Sequence, residues 1–207
     1  MTEVRRIVAV SAGLSTPSST RLLADRLTGA AERALDERGL KADARVVELR
    51  EVAHDIVNAM LTRVPTGGLP AVLDDVAAAD GVIAVTPVFN ASYSGLFKAF
   101  FDVVEPGSLD GTPVLVGATG GSPRHSLVLE HALRPLFSHT RSVVVPTGVY
   151  AASADWGADG AGARELDDRI GRAARQLALL AADHASEDRG PCADPVDFAD
   201  LMDGLGR

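Results

Sequence analysis

Apolar residues in this 207-residue chain gather into short uninterrupted runs, separated by longer stretches with a helical repeat. The runs are "RIVAV" (Arg6–Val10), "ARVVEL" (Ala44–Leu49), "GVIAVTPV" (Gly81–Val88), "TPVLVGA" (Thr112–Ala118) and "SVVVPTGVY" (Ser142–Tyr150). Each has strand length, and none alternates cleanly with polar residues, as expected of strands covered on both faces. Between them, a helix predicted from Ser18 places Leu23, Leu27, Ala30 and Ala34 on one face, with Gly39 as its stop. "HDIVNAML" (His54–Leu61) predicts a helical turn or two within a long connection, and Pro70 marks a helix start in "LPAVLDDVAAAD". "SGLFKAFFDVV" predicts a helix whose Leu96, Phe97, Phe100, Phe101 and Val104 form a wide stripe, for the core or for a subunit interface. A helical run around "HSLVLEHAL" is expected to kink or end at Pro135. The last helix, "ARELDDRIGRAARQLALLAADH", turns Ile170, Ala173, Ala174, Leu177, Leu180 and Ala181 to the core.

Five such strands with helices between them require right-handed crossovers. The expected fold is therefore α/β: a three-layer, doubly wound, five-stranded parallel sheet. Residues 1–184 read as one domain. Residues 185–207 shift to an acidic, Gly/Pro-containing composition with a short "VDFADLM" segment, and read as a C-terminal tail.

Composition narrows the partners. Twenty-eight acidic residues against 20 basic ones give a net charge of −8 without a basic cluster, which argues against nucleic acid and anionic membrane surfaces. An anionic ligand must then be held by local dipoles. No apolar run approaches the ~18 residues of a membrane span. The four-residue run after Arg5 and Arg6 is too short for a signal-peptide core, so a cytoplasmic protein is expected. The single cysteine, Cys192, fits a reducing compartment. The five histidines show no paired metal-ligand spacing, and no metal site is expected.

Ligands of open parallel sheets bind beyond the carboxyl ends of the strands. Three loops at that edge carry unusual residues. "SAGLSTPSSTR" after the first strand is rich in hydroxyls but has no basic residue before Arg21. It lacks G-x-G-x-x-G and G-x-x-x-x-G-K-[ST], which argues against a Rossmann dinucleotide site, although Glu48 ends strand two, and against a triphosphate P-loop. Two readings remain: an anion site of hydroxyls and free N–H groups at a helix N-terminus, or plain capping by Ser18 or Ser19. "TPVFNASYSGLFKAF" follows strand three, with Pro87 expected to end that strand. Phe89, Asn90 and Tyr93 there can wall a flat ring system or cap the core. In "GATGGSPRHSL", Gly120 and Gly121 permit close backbone approach or form an ordinary turn. Arg124 and His125 are candidate cations for a second phosphate-bearing ligand. Lys98 and Asp102 read as a surface ion pair.

Taken together, "SAGLSTPSSTR", "TPVFNASYSGLFKAFFD" and "GATGGSPRHSLVLEHALRPLF" resemble the NAD(P)H-dependent FMN reductase family of the flavodoxin-like fold, over about residues 5–180. The third motif, with "VVPTGVYA", resembles the subgroup that accompanies luciferase-like flavin-dependent monooxygenases. The resemblance implies a 2-1-3-4-5 strand order and FMN at the switch point. It implies phosphate binding by Ser11, Ser18, Ser19 and Thr20. Pro87, Val88, Phe89, Asn90 and Tyr93 would lie along the isoalloxazine, with Thr119, Gly120 and Gly121 at its pyrimidine side. Family members commonly carry an arginine near the position of Ser15, which this chain lacks. The implied reaction is hydride transfer from NAD(P)H to flavin N5 with no catalytic side chain, in a homodimer or homotetramer that supplies reduced FMN to a monooxygenase. An FMN-bound quinone, azo-dye or chromate reductase and a flavodoxin-like electron carrier are the alternative readings.

Overall fold

The parity of side chains along the strands explains why two helical layers are needed. A computed structural model of the chain describes residues 3–157 and 161–184, so the expected tail, residues 185–207, lies outside the described residues. In β1 (Val4–Ser11), Ile7 and Ala9 enter one buried cluster and Val8 and Val10 the other. The same alternation runs through β3 (Gly81–Phe89) and β5 (Pro113–Gly120). Ile83, Val85 and Leu115 share the cluster of Ile7, whereas Val82, Ala84, Val114 and Val116 share that of Val8. A strand buried on both sides cannot alternate with polar residues, which is why these stretches are continuously apolar.

Helices α1 (Ser19–Asp36) and α6 (Ala161–Asp183) cover the first face. All four residues expected to face inward from α1 are buried, as are Ile170, Ala173, Ala174, Leu177 and Ala181 of α6. The second face is covered by α2 (Ala53–Thr62), α3 (Leu69–Ala77), α4 (Gly95–Val103) and α5 (Arg134–His139). The phenylalanine stripe of α4 belongs to this core. Phe97, Phe100 and Phe101 are buried, and Phe101 meets Phe137 edge-on with ring centroids 4.9 Å apart. Such contacts add ~0.5–1.5 kcal/mol beyond area burial.

The sheet has seven strands, five of them on the path β2-β1-β3-β5-β6 and two off it, which departs from five strands in the order 2-1-3-4-5. Here β2 is Lys41–Glu48 and β6 is Val143–Val144, while β7 (Val149–Ala152) pairs with β5 and β4 (Ser92–Tyr93) with β3. The run "SVVVPTGVY" is thus two strands, both parallel to β5. Pro146 has no N–H to donate, and side chains satisfy the break around it. Arg134 donates to the Val145 and Pro146 carbonyls at 3.2 and 3.1 Å, and Gln176 accepts from the Thr147 N–H at 2.9 Å.

Pro87 does not end β3. The strand continues to Phe89 and turns back antiparallel as β4, with Val88 opposite Tyr93. β1 pairs with β3 only as far as Val85, so the missing donor of Pro87 faces a side where no strand remains. The turn residues Asn90 and Ala91 have φ of +50° and +67°, the left-handed pair that a tight hairpin requires. Pro135 does not stop its helix either. It lies in the first turn of α5, after a π-helical turn at Leu129–Leu133, where a missing N–H costs no helical bond. The "HDIVNAML" stretch lies within the ten-residue helix α2.

β1 lies between β2 and β3: α1 carries the chain outward from β1 to β2 over one face, and α2 with α3 carries it back from β2 past β1 to β3 over the other. The crevice at the carboxyl end of β1 is therefore the switch point of the sheet.

Candidate active site

The first loop crosses the start of α1 in a tight turn. A Cβ placed on Gly13 would lie 2.1 Å from Ser18 Oγ and 3.2 Å from the Thr20 side chain, so the chain can pass there only without one. Ser18 is the N-cap of α1, its Oγ accepting from the Arg21 N–H at 3.2 Å. The capping reading is therefore correct for Ser18, but it leaves the other hydroxyls unexplained. Ser11 has the strand parity of Ile7 and Ala9, which turns it to the α1 face. It is 1% exposed, and its Oγ has no hydrogen-bond partner. A buried hydroxyl without a partner is costly, by ~1–3 kcal/mol. Ser19 is exposed at the first position of α1.

The third loop meets the first through a single bond. Thr20 Oγ1 and Thr119 Oγ1 lie 2.8 Å apart, both buried. Beyond Thr119, the backbone rests on Tyr150 of β7, whose phenol donates to the Ser122 carbonyl at 2.7 Å. A Cβ on Gly120 would lie 2.2 Å from that phenol oxygen. The close approach allowed by Gly120 is thus an approach to Tyr150, while Gly121 is exposed. Burial first, and the Asp155 carboxylate second, push the Tyr150 phenol above its usual range.

The second loop is the β3–β4 hairpin. Phe89 and Asn90 are exposed at its tip, Pro87 and Val88 are half-buried, and Tyr93 leans on Phe97 with centroids 5.9 Å apart. Its base is closed by the Ser94 N–H, which donates to Thr86 Oγ1 at 3.0 Å, while Ser94 Oγ caps α4. Tyr93 is thus half-buried with one side against the core, and Phe89 is an exposed aromatic.

Charge around the first loop comes from outside it. Arg21 pairs with Asp25 and with Glu48 Oε1, each at 2.8 Å. These contacts, the Asp25 hydrogen bond foremost, hold its pKa above the usual range. Glu48 Oε2 accepts from Arg50 Nε, and Arg50 Nη1 donates to Thr16 Oγ1. Sequence reasoning missed Arg50 and Tyr150, because neither lies in a loop motif; the Ser11–Glu48 pairing of β1 and β2 brings the turn carrying Arg50 alongside. Arg124 and His125 are exposed in a 3-10 turn, and Lys98 pairs with Asp102 on the surface. Among the described residues, no group of three or more His, Cys, Asp or Glu could hold a metal ion. A cleft of about 650 Å³ lies elsewhere, among α2, α3, the end of α4 and the segment entering β5, and of the site residues above it is lined by Asp102 alone.

Free N–H groups at the α1 N-terminus, the orphan Ser11 Oγ and the glycine passage at Gly13 fit a phosphate group. These features lie at the switch point of a doubly wound α/β domain of the flavodoxin-like class, beside an exposed aromatic on the neighbouring hairpin. Comparison carries this further. A flavodoxin of the WrbA-like kind from Agrobacterium tumefaciens shares the fold at 17% identity and a TM-score of 0.61, over 87% of this chain and 99% of that one. An oxidoreductase from Corynebacterium diphtheriae is 47% identical over 89% of this chain and all of that chain, with a TM-score of 0.85. "FMN reductase (NADPH)" of Pseudomonas aeruginosa is 39% identical over 180 residues, 87% of this chain and 94% of the relative. "NADH-dependent FMN reductase SfnF" of Pseudomonas fluorescens is 36% identical over 184 residues, 89% and 96% of the two chains. The profile of the NADPH-dependent FMN reductase family matches residues 5–157. The chain belongs to that family.

Proposed function

We infer that the protein is an NAD(P)H:FMN oxidoreductase whose flavin lies at the carboxyl ends of β1, β3 and β5. The observation that carries this placement is the partnerless, buried Ser11 Oγ beneath the α1 N-terminus. Ser11, Ser18, Ser19 and Thr20 hold the phosphate end with neutral hydrogen bonds and the helix dipole. Pro87, Val88, Phe89, Asn90 and Tyr93 would hold the ring, with Thr119, Gly120 and Gly121 on its pyrimidine side. Bound FMN supplies an N5 that accepts hydride from nicotinamide C4. The chain's contribution is stacking and orientation, with no side chain forming a covalent bond. Arg124 and His125 are placed for the phosphates of the nicotinamide nucleotide.

The wider reading follows from the same family. The domain comprises residues 1–184, works in the cytoplasm as a homodimer or homotetramer, and passes reduced FMN to a flavin-dependent monooxygenase. Among the described residues, no helix is long and apolar enough to cross a membrane.

The test is anaerobic mixing of the protein with NADPH or NADH and free FMN, following nucleotide oxidation and flavin bleaching together. Stoichiometric oxidation and bleaching are expected. No oxidation with either nucleotide would leave an electron carrier, and turnover only with an added quinone would leave an acceptor reductase.

A further inference from the structure

The hydroxyl loop has no cation of its own, yet one reaches it. No Lys or Arg occurs from Ser11 to Thr20, and Arg21 is committed to Asp25 and Glu48. Arg50, in the turn Leu49–Val52 that follows β2, lies two residues beyond the level at which Glu48 pairs with Ser11. Its Nη1 donates to Thr16 in the middle of the loop, and its Nε donates to Glu48. The Glu48 side chain is only 12% exposed and holds one guanidinium with each oxygen, so it acts as a clamp that fixes Arg50 in direction. Arg50 Nη2 makes no hydrogen bond among the described residues. A guanidinium anchored on two of its three nitrogens, with the third turned loose at the rim of a phosphate-sized turn, is a preorganised anion ligand.

We propose that Arg50, oriented by Glu48, is the cationic ligand of the flavin phosphate, standing in from a neighbouring turn for a basic residue that the loop lacks. The proposal rests on the placement of FMN phosphate at this loop. It makes Arg50 a determinant of FMN over flavins without a phosphate. Neutral hydroxyls and helix N–H groups bind a phosphate dianion but leave its charge uncompensated, and a charge-assisted bond from Arg50 supplies the compensation. Because Arg50 is one-third exposed, its contribution is screened by salt. The expected size is about a factor of ten in affinity, the low end for hydrogen bonds to charged groups.

The experiment compares Kd for FMN and for riboflavin, which has the same ring and no phosphate, by quenching of flavin fluorescence. Arg50→Ala is expected to weaken FMN about tenfold, to leave riboflavin within about twofold, and to flatten the salt dependence of FMN binding. Arg50→Lys is expected to recover part of the loss. The fold survives the change, since Glu48 keeps Arg21 as its partner. Equal weakening of both flavins overturns the proposal and makes Arg50 a structural prop. A shift confined to the Kd of NADPH or NADH overturns it in favour of the nicotinamide nucleotide. Unchanged FMN binding also overturns it, and Ser18→Asp then shows how much falls. If that variant weakens FMN, the loop still holds the phosphate and only Arg50 is wrong; if not, both readings are lost.

Discussion

Gly120→Ala is the most revealing single change at the third loop. Gly120 does not have a left-handed φ, so the backbone itself accepts alanine. The obstacle is the Tyr150 phenol, 2.2 Å from the new Cβ, whereas the ring carbon behind it is 3.3 Å away. To make room, Tyr150 must swing and release the Ser122 carbonyl. Overpacking of this kind costs ~1–3 kcal/mol, and the lost hydrogen bond about 1 more. Gly120→Ala is therefore expected to lower stability by ~2–4 kcal/mol in urea unfolding at unchanged m, and to weaken FMN because residues 119–122 lose their support. Tyr150→Phe alone costs about 1 kcal/mol. In Tyr150→Phe the obstructing oxygen is gone, and the remaining 3.3 Å contact needs a shift of only tenths of an ångström. Gly120→Ala added to that background is expected to cost no more than ~1 kcal/mol further, a favourable coupling of at least that size. Additive losses in the double variant would refute the steric account and point to a role of Gly120 toward the ligand itself.

Three other outcomes are expected. Ser18→Asp preserves the α1 cap, because aspartate accepts the Arg21 N–H equally well, but sets a negative charge beside the phosphate. FMN affinity falls by more than ~tenfold with little change in Tm, and unchanged affinity would mean the phosphate lies elsewhere. Ala91→Gly relieves a left-handed alanine and is expected to raise the urea midpoint by the equivalent of ~1 kcal/mol, with no gain if the turn is unstrained. Tyr150 holds its proton to higher pH when folded than unfolded, from burial first and Asp155 second. Above pH ~10 the unfolded chain binds fewer protons, so stability falls until the folded phenol also ionises. Tyr150→Phe is expected to flatten that alkaline limb, and an unchanged limb would contradict the shift.

The readable parts of this chain are those where local pattern and tertiary demand agree. The apolar runs of β1, β3 and β5 are strands because both faces are covered, and the inward faces of α1 and α6 follow their 3.6-residue repeat. The three candidate loops are legible by position, since each follows the carboxyl end of a central strand, β1, β3 or β5. What escaped depends on partners far away in sequence. Arg50 reaches Thr16 only through the β1–β2 register, and Tyr150 meets Ser122 only because β7 lies beside β5. The apolar run Ser142–Tyr150 reads as one strand because valines flank Pro146, where the structure divides it into β6 and β7. The β3–β4 hairpin was hidden because alanine, not glycine, occupies its second left-handed position. Val57, Met60 and Leu61 of α2 are exposed, which blurs the amphipathic signal there.

The unequal endings of the central strands have a consequence for the shape of the site. β1 stops with Ser11 opposite Val85, but β3 runs on until Pro87 stands opposite Thr119. The sheet edge is therefore a staircase, its step two residues high, or roughly 7 Å at strand rise. On the placement proposed above, the anionic end of the ligand would rest on the lower tread and its flat end against the riser. The tread depth is written in strand register, so deleting one residue from β1 would both rotate Ser11 to the opposite face and change the height of the step. Loop substitutions change the groups that line the crevice; strand length sets the height of the step beneath them.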